Sequence, residues 1–216
     1  MTGLPDRLTR PLIDENPITL QILGICSALA VTTTLATALT MSLALTVVIS
    51  LSATLISMIR NHIPHSVRLI IQITIISALV IVMDGLLRAF AYEMSQRLSV
   101  FVGLIVTNCL VMGRAEAFAM RHPPGESFLD ALGNGLGYSL ILIVVGTLRE
   151  GLGLGTILGV PLAPMLGLDG FTTLALMQRA PAAFFILGLL IWAIRAWRPA
   201  QVERPEYQLS SEEEDA

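Results

Sequence analysis

Two residues stand out chemically in this 216-residue chain: its only cysteines, Cys26 and Cys109. Both lie within apolar runs rather than in exposed polar loops, which disfavours a disulfide between them. Free cysteine also serves as a small apolar residue in packed interiors, and that reading stands beside a chemical one. The chemical reading is iron. Thiolates hold iron–sulfur clusters or a single tetrathiolate iron, and both need four protein ligands. With two thiols in this chain, iron requires two more ligands from a partner, at a subunit interface.

The elements that must position these thiols are membrane helices. Hydrophobic residues make up 54% of the chain, charged residues 13%, and the mean hydropathy is +0.76. Soluble domains carry about 25% charged residues, so the composition is that of an integral membrane protein. All thirteen basic residues are arginine. The net charge of −3 reflects the acidic tail Glu212-Glu213-Glu214-Asp215 more than the membrane part. Apolar stretches recur along the whole chain, so a cleaved signal peptide does not account for them.

Residues 1–16 read as a polar leader, 17–198 as a single six-helix membrane domain, and 199–216 as a disordered acidic tail. Pro17 is suited to start a helix. From Asn16 to Ile59 no residue is charged, enough for two spans, about 17–35 and 38–59, turning near Thr32-Thr33-Thr34. Pro64 interrupts the loop Arg60–Ser66, and a third span follows at about 67–90. Arg97 and Arg114 bracket an uncharged fourth segment, 98–113, that holds Cys109. As a helix it covers roughly 24 Å, short of a bilayer core of about 30 Å. Such a segment suggests a discontinuous helix around a binding site.

Residues Arg114 to Ser127 read as polar and turn-rich, and a fifth span is expected at about 128–148. Its Gly133, Gly135, Gly137 and Gly146 predict close packing against a neighbouring helix. Arg149-Glu150 then open a Gly/Pro-rich connection, 149–180, before a sixth span at about 181–197 anchored by Trp192, Trp197 and Arg195. The expected class is therefore all-α, with six spans forming two inverted three-helix repeats. Spans 1 and 4 are short or broken around the cysteines. Counted along helices from Pro17 and back from Arg114, Cys26 and Cys109 lie about 13 Å and about 8 Å from one side. Arg7, Arg10, Arg60, Arg68, Arg114, Arg121, Arg195, Arg198 and Arg204 on that side outnumber Arg88, Arg97, Arg149 and Arg179 on the other. The positive-inside rule then sets both termini in the cytoplasm.

Other residues have competing readings. Asp84 inside span three is either part of an ion path or the partner of Arg88 one turn later. Arg114 and Glu116 read as charges offered to a partner, since two residues on one helix do not face each other. Gly133-Asn134-Gly135-Leu136-Gly137 lacks the preceding strand of a nucleotide loop, and helix packing is favoured. His62 and His65 flank Pro64 without further ligands, as expected of a solvated loop. Without a phosphate loop or flavin fingerprint, the chain alone is expected to bind no NADH.

Several stretches together carry a resemblance: Gln21–Thr32 around Cys26, Arg60–Pro64 with Ser66-Val67-Arg68, and Leu98–Ile105. Thr107-Asn108-Cys109, Val111–Met120 and Gly133–Tyr138 complete the set. They resemble the D-type membrane subunits of the bacterial sodium-translocating NADH:quinone oxidoreductases (Nqr). They are similar, less closely, to the E-type subunits of the related Rnf complexes. The likeness covers about 16–203 and is weakest in the leader, the 151–179 connection and the tail. It implies a bacterial inner-membrane subunit that pairs with a homologous E subunit in inverted orientation. Each of the pair contributes two membrane cysteines to a shared [2Fe–2S] cluster, and here these map onto Cys26 and Cys109. It further implies A, B, C and F subunits carrying flavins, NADH and quinone, with electron flow coupled to sodium export. Gly24, two residues before Cys26, would then let backbone approach the sulfurs. The alternatives are a subunit of an Rnf-type ferredoxin:NAD oxidoreductase, an ion transporter using Asp84, and a scaffold with inert cysteines.

Overall fold

Helix α2, Leu35–Ile59, shows what kind of surroundings the chain is built for. Its Leu39, Leu43, Val47, Leu51 and Leu55, spaced every four residues, are exposed, while Ser42, Ser50, Ser52 and Ser57 are buried. Most of these hydroxyls bond to carbonyls one turn back, as Ser50 does to Thr46 at 2.7 Å and Thr46 to Ser42 at 2.7 Å, while Ser57 bonds to His122 O. An apolar outer face over an interior of apolar side chains and hydrogen-bonded hydroxyls is a polarity suited to lipid.

The computed structural model describes residues 16–64, 66–90, 103–157, 160–161 and 179–197. Besides α2, its helices are α1 (Ile25–Val31), α3 (Arg68–Phe90), α4 (Cys109–Arg114), α5 (Pro124–Leu154) and α6 (Ala180–Trp197). Residues 103–106 form a further helical turn ahead of α4, and a π-helical turn, Ala115–Ala119, follows it. Two short strands, Thr156–Ile157 and Val160–Pro161, pair antiparallel with Thr156 opposite Pro161. Among the described residues, three stretches are long and apolar enough to cross a membrane: Leu35–His62, Arg68–Ala89 and Pro124–Gly153. Pro181–Trp197 is a shorter apolar helix. The leader, the tail, residues 91–102 and most of the expected 149–180 connection lie outside the described residues.

The expected first span, 17–35, is not one helix. Residues 17–20 form a turn, with Leu20 N–H bonded to Asn16 O at 3.0 Å, and α1 begins only at Ile25. Ile22 at φ 55° and Gly24 at φ 82° are left-handed, which a right-handed helix cannot contain. The depth reckoned along a helix from Pro17 therefore does not apply to Cys26. The fourth segment is also interrupted, at Thr107-Asn108, and then stays helical past the expected end at 113 through Ala119. So the stretch 114–127 is mostly helix: Pro124 already occupies the first turn of α5, where its missing N–H costs no bond.

Helix α5 runs past the expected end at 148 to Leu154 and stops where Gly155 turns left-handed at φ 65°. Arg149 and Glu150, expected to open a connection, are instead inside this helix and 1% and 3% exposed. They complete the α1–α2 junction. Arg149 donates to Leu29 O at 3.1 Å and Thr32 Oγ1 at 2.9 Å, meeting acceptors at the end of α1. Glu150 Oε2 accepts from Leu35 N–H at 2.6 Å, an amide at the start of α2 that has no helical acceptor. Thr34 adds its side chain as a cap on Thr37 N–H.

The most extensive packing in the molecule is between α2 and α5. Gly135 makes it close: a Cβ there would lie 3.0 Å from Thr46 Cγ2 and 3.1 Å from Thr46 Cα. At Gly146 a Cβ would come within 3.2 Å of Ala38 Cβ. Thr46 and Ser139 hydroxyls then meet across the interface at 3.2 Å. The glycine run 133–137 is thus a helix-packing surface within α5. Because backbone atoms cannot retreat, Gly135→Val should destabilise the protein by about 1–3 kcal/mol. Its apparent melting temperature in detergent should fall, while Gly85→Ala, with nothing within 4 Å of its Cβ, should leave it close to wild type.

Candidate metal centre

Each cysteine sits in the first turn of a short helix that follows a break in the chain. Cys26 is the second residue of α1, behind Gly24 as its N-cap, and Cys109 is the first of α4, behind Asn108. Amides in a first helical turn have no acceptor within the helix. Asn108 Oδ1 takes one of them, Leu110 N–H, at 2.9 Å. The Gly24 N–H takes another course, donating to Cys109 Sγ at 3.0 Å across 85 positions of sequence. That bond links the two breaks directly.

Only glycine fits at position 24, for two independent reasons. Its φ of 82° strains any side chain, and a Cβ would lie 2.8 Å from Cε2 of Tyr138. Tyr138 reaches this point from the middle of α5 and is fully buried. Its hydroxyl lies 2.6 Å from Ser27 Oγ. Ser27 in turn donates to Gly24 O at 2.9 Å and accepts from Asn108 Nδ2 at 2.9 Å. A hydroxyl has one hydrogen and two lone pairs, so the Tyr138 O–H must donate to Ser27, which is then saturated. Ser27 and Asn108 are 3% and 4% exposed.

The sulfurs have the opposite setting: both cysteines are free and exposed on the chain surface. They are therefore not the packed apolar residues that free cysteine usually forms. Among the described residues no three His, Cys, Asp or Glu side chains gather to hold a metal. Two outward-facing thiols with an N–H already directed at one of them fit half of a tetrathiolate site. They fit no complete site within the described part of this chain.

Comparison with known proteins agrees with the membrane architecture. Residues 5–191 match the family model described as "Rnf-Nqr subunit, membrane protein". The chain belongs to the Rnf-Nqr subunit family. It is 58% identical over 198 residues to the D subunit of the Na(+)-translocating NADH-quinone reductase of Serratia proteamaculans (strain 568), covering 91% of this chain and 95% of that one. It is 59% identical, with the same coverage, to the D subunits of the reductases of that name from Yersinia enterocolitica and Yersinia pestis (strain Pestoides F).

Elsewhere in this Rnf-Nqr protein the other singled-out residues have partners within the chain. Asp84 Oδ2 lies 2.8 Å from Arg88 Nη2, one turn along α3. Arg114 and Glu116 do not await another protein, because each finds an opposite charge from another helix. Arg114 binds both oxygens of Asp130, with Nε at 3.0 Å from Oδ2, and lies over the Phe118 ring. Glu116 pairs with Arg68 and accepts from Gln72 Nε2 at 2.9 Å. His62 is exposed on the turn Arg60–His62, and His65 lies outside the described residues.

Ser27, Asn108 and Tyr138 were not expected at the site. The first two had a signal: each is a polar residue directly beside a cysteine in an apolar run. Tyr138 had none, since nothing in its glycine-rich surroundings points to residues more than a hundred positions earlier. Asn108 both caps α4 and donates to Ser27, so Asn108→Ala should cost about 1–2 kcal/mol, the upper range for a lost cap. The apparent melting temperature should drop well below that of Thr107→Ala, whose side chain is exposed.

Proposed function

We propose that this Rnf-Nqr protein serves as the D subunit of a bacterial sodium-translocating NADH:quinone reductase. In this reading Cys26 and Cys109 provide two of four thiolates for iron, as a [2Fe–2S] cluster or a single iron. The other two come from a homologous E subunit in inverted orientation. The observation that carries it is a pair of exposed, free cysteines whose two helix starts are linked by the Gly24 N–H···Sγ Cys109 bond, with no cluster of three metal-ligating side chains among the described residues. A cysteine that serves only as a small apolar residue calls for no N–H donor at its sulfur. A thiol that completes its ligand set on another chain does.

Iron bound there would supply one-electron transfer. The chain's own part is to hold two sulfurs in place and to direct the Gly24 N–H at that of Cys109. The remaining functions of such a complex, NADH oxidation, flavin binding and quinone reduction, belong to its A, B, C and F subunits. Sodium transport enters through the relatives' shared name.

The order of elements supports six spans in two inverted repeats. Each half reads as a broken cysteine-bearing segment followed by two longer helices: α1, α2 and α3, then α4, α5 and α6. An odd number per half inverts the second, and antiparallel short helices can then meet by their starting ends, as Gly24 and Cys109 do. The arginine balance supports cytoplasmic termini in the inner membrane. The degree of identity to D subunits favours Nqr over an Rnf-type complex. A transporter using Asp84 is disfavoured by the pairing of that residue with Arg88.

Cys26→Ser and Cys109→Ser, each in the assembled complex, should remove bound iron and abolish quinone reduction while the subunits still co-purify. Iron content and activity equal to wild type in both variants would overturn the proposal.

A further inference from the structure

Tyr138 does more at this site than fill space. Its ring closes on the Cα side of Gly24, where a Cβ would lie 2.8 Å from Cε2. Its hydroxyl, through Ser27, fixes the Gly24 carbonyl at 2.9 Å. The amide of the same glycine is the one that donates to Cys109 Sγ. Gly24 is thus held on three sides, and two of the three trace back to one tyrosine. The same Ser27 oxygen receives Asn108, the cap of the Cys109 helix. Tyr138 therefore ties the donor loop to the acceptor loop.

We infer that Tyr138 is the positioning residue that sets the Gly24 N–H···Sγ Cys109 bond, and through it the reduction potential of iron held by these thiolates. The inference rests on the proposed electron-transfer role. Hydrogen bonds to ligand sulfurs are among the factors that set iron–sulfur potentials. An N–H donor stabilises the more negative, reduced state, because hydrogen bonds to charged acceptors are the stronger ones. Glycine, with the widest backbone freedom of any residue, holds such a bond only if its surroundings restrain it. Removing the phenolic oxygen leaves Ser27 with an unpaired lone pair and without the contact that anchors it, so its bond to Gly24 O holds the peptide less firmly. The amide then points less well at sulfur, and the potential falls.

The test uses the assembled complex carrying Tyr138→Phe, with Ser27→Ala as a second variant that removes the same link from its other end. Ser139→Ala, a hydroxyl on the neighbouring position of α5 that faces Thr46, is the control. Three quantities are read: bound iron, the midpoint potential from an electron paramagnetic resonance redox titration, and hydrogen–deuterium exchange of the peptide containing Gly24. Tyr138→Phe and Ser27→Ala should keep their iron, titrate at lower potential and exchange faster at Gly24, with Ser139→Ala at wild-type values. Iron retained with wild-type potential in both variants overturns the inference and leaves the electron-transfer role standing. If Tyr138→Phe does not assemble, Ser27→Ala alone decides by the same two outcomes. An iron signal that survives Cys26→Ser and Cys109→Ser overturns the role and the inference together.

Discussion

A helix that stops inside an apolar segment leaves amides and carbonyls that no water can reach, and each must find a partner in the protein. That constraint governs the arrangement around both cysteines. The chain breaks at Gly24 and again at Thr107-Asn108, and the orphaned groups at each break are used to join the other. Gly24 N–H reaches the sulfur of Cys109, Asn108 reaches Ser27, and Ser27 returns to Gly24 O. What would be a cost in an isolated helix becomes the cross-link between two distant stretches.

The same constraint explains the placement of charge. Arg149 and Glu150 are buried in α5 because two helix ends beside them, the last turn of α1 and the first of α2, need a donor and an acceptor. Arg114 with Asp130, and Glu116 with Arg68, pair charges borne by different helices. Charge in such a setting is tolerated only when paired or turned toward a polar cavity. Meanwhile the outer faces of α2 and α6 present Leu43, Leu51, Phe185 and Trp192. Apolar side chains thus face outward as well as packing the core, and most buried polar groups among them are paired within the chain.

Against that background the exposed thiols are the exception. Ser27, Asn108 and Tyr138 beside the breaks are buried and hydrogen-bonded, whereas Cys26 and Cys109 are exposed. In the proposed reading, the supporting hydrogen bonds lie in this chain and the remaining ligands come from another.

Much of this was legible in the residues alone, and the reasons are specific. Hydropathy located α2, α3 and α5, since a long uncharged run admits few other structures, and the shortness of 98–113 announced a break near Cys109. The glycines of α5 likewise announced a close neighbour without naming it. Helix ends were less legible. Pro17 looked like a helix start, yet Ile22 and Gly24 turn left-handed; Arg149-Glu150 looked like a loop, yet lie buried within α5. Charge near an apolar run signals a boundary only when no partner waits inside, and the partners here come from α1 and α2. The sequence by itself determined a membrane protein with two thiols in broken apolar segments, because composition and run length are local properties. Only the tertiary structure decided that Gly24 bonds Cys109, that Tyr138 holds Gly24, and that both sulfurs face outward. Those relations join residues some 85 to 115 positions apart, and such pairings exist only once helices pack.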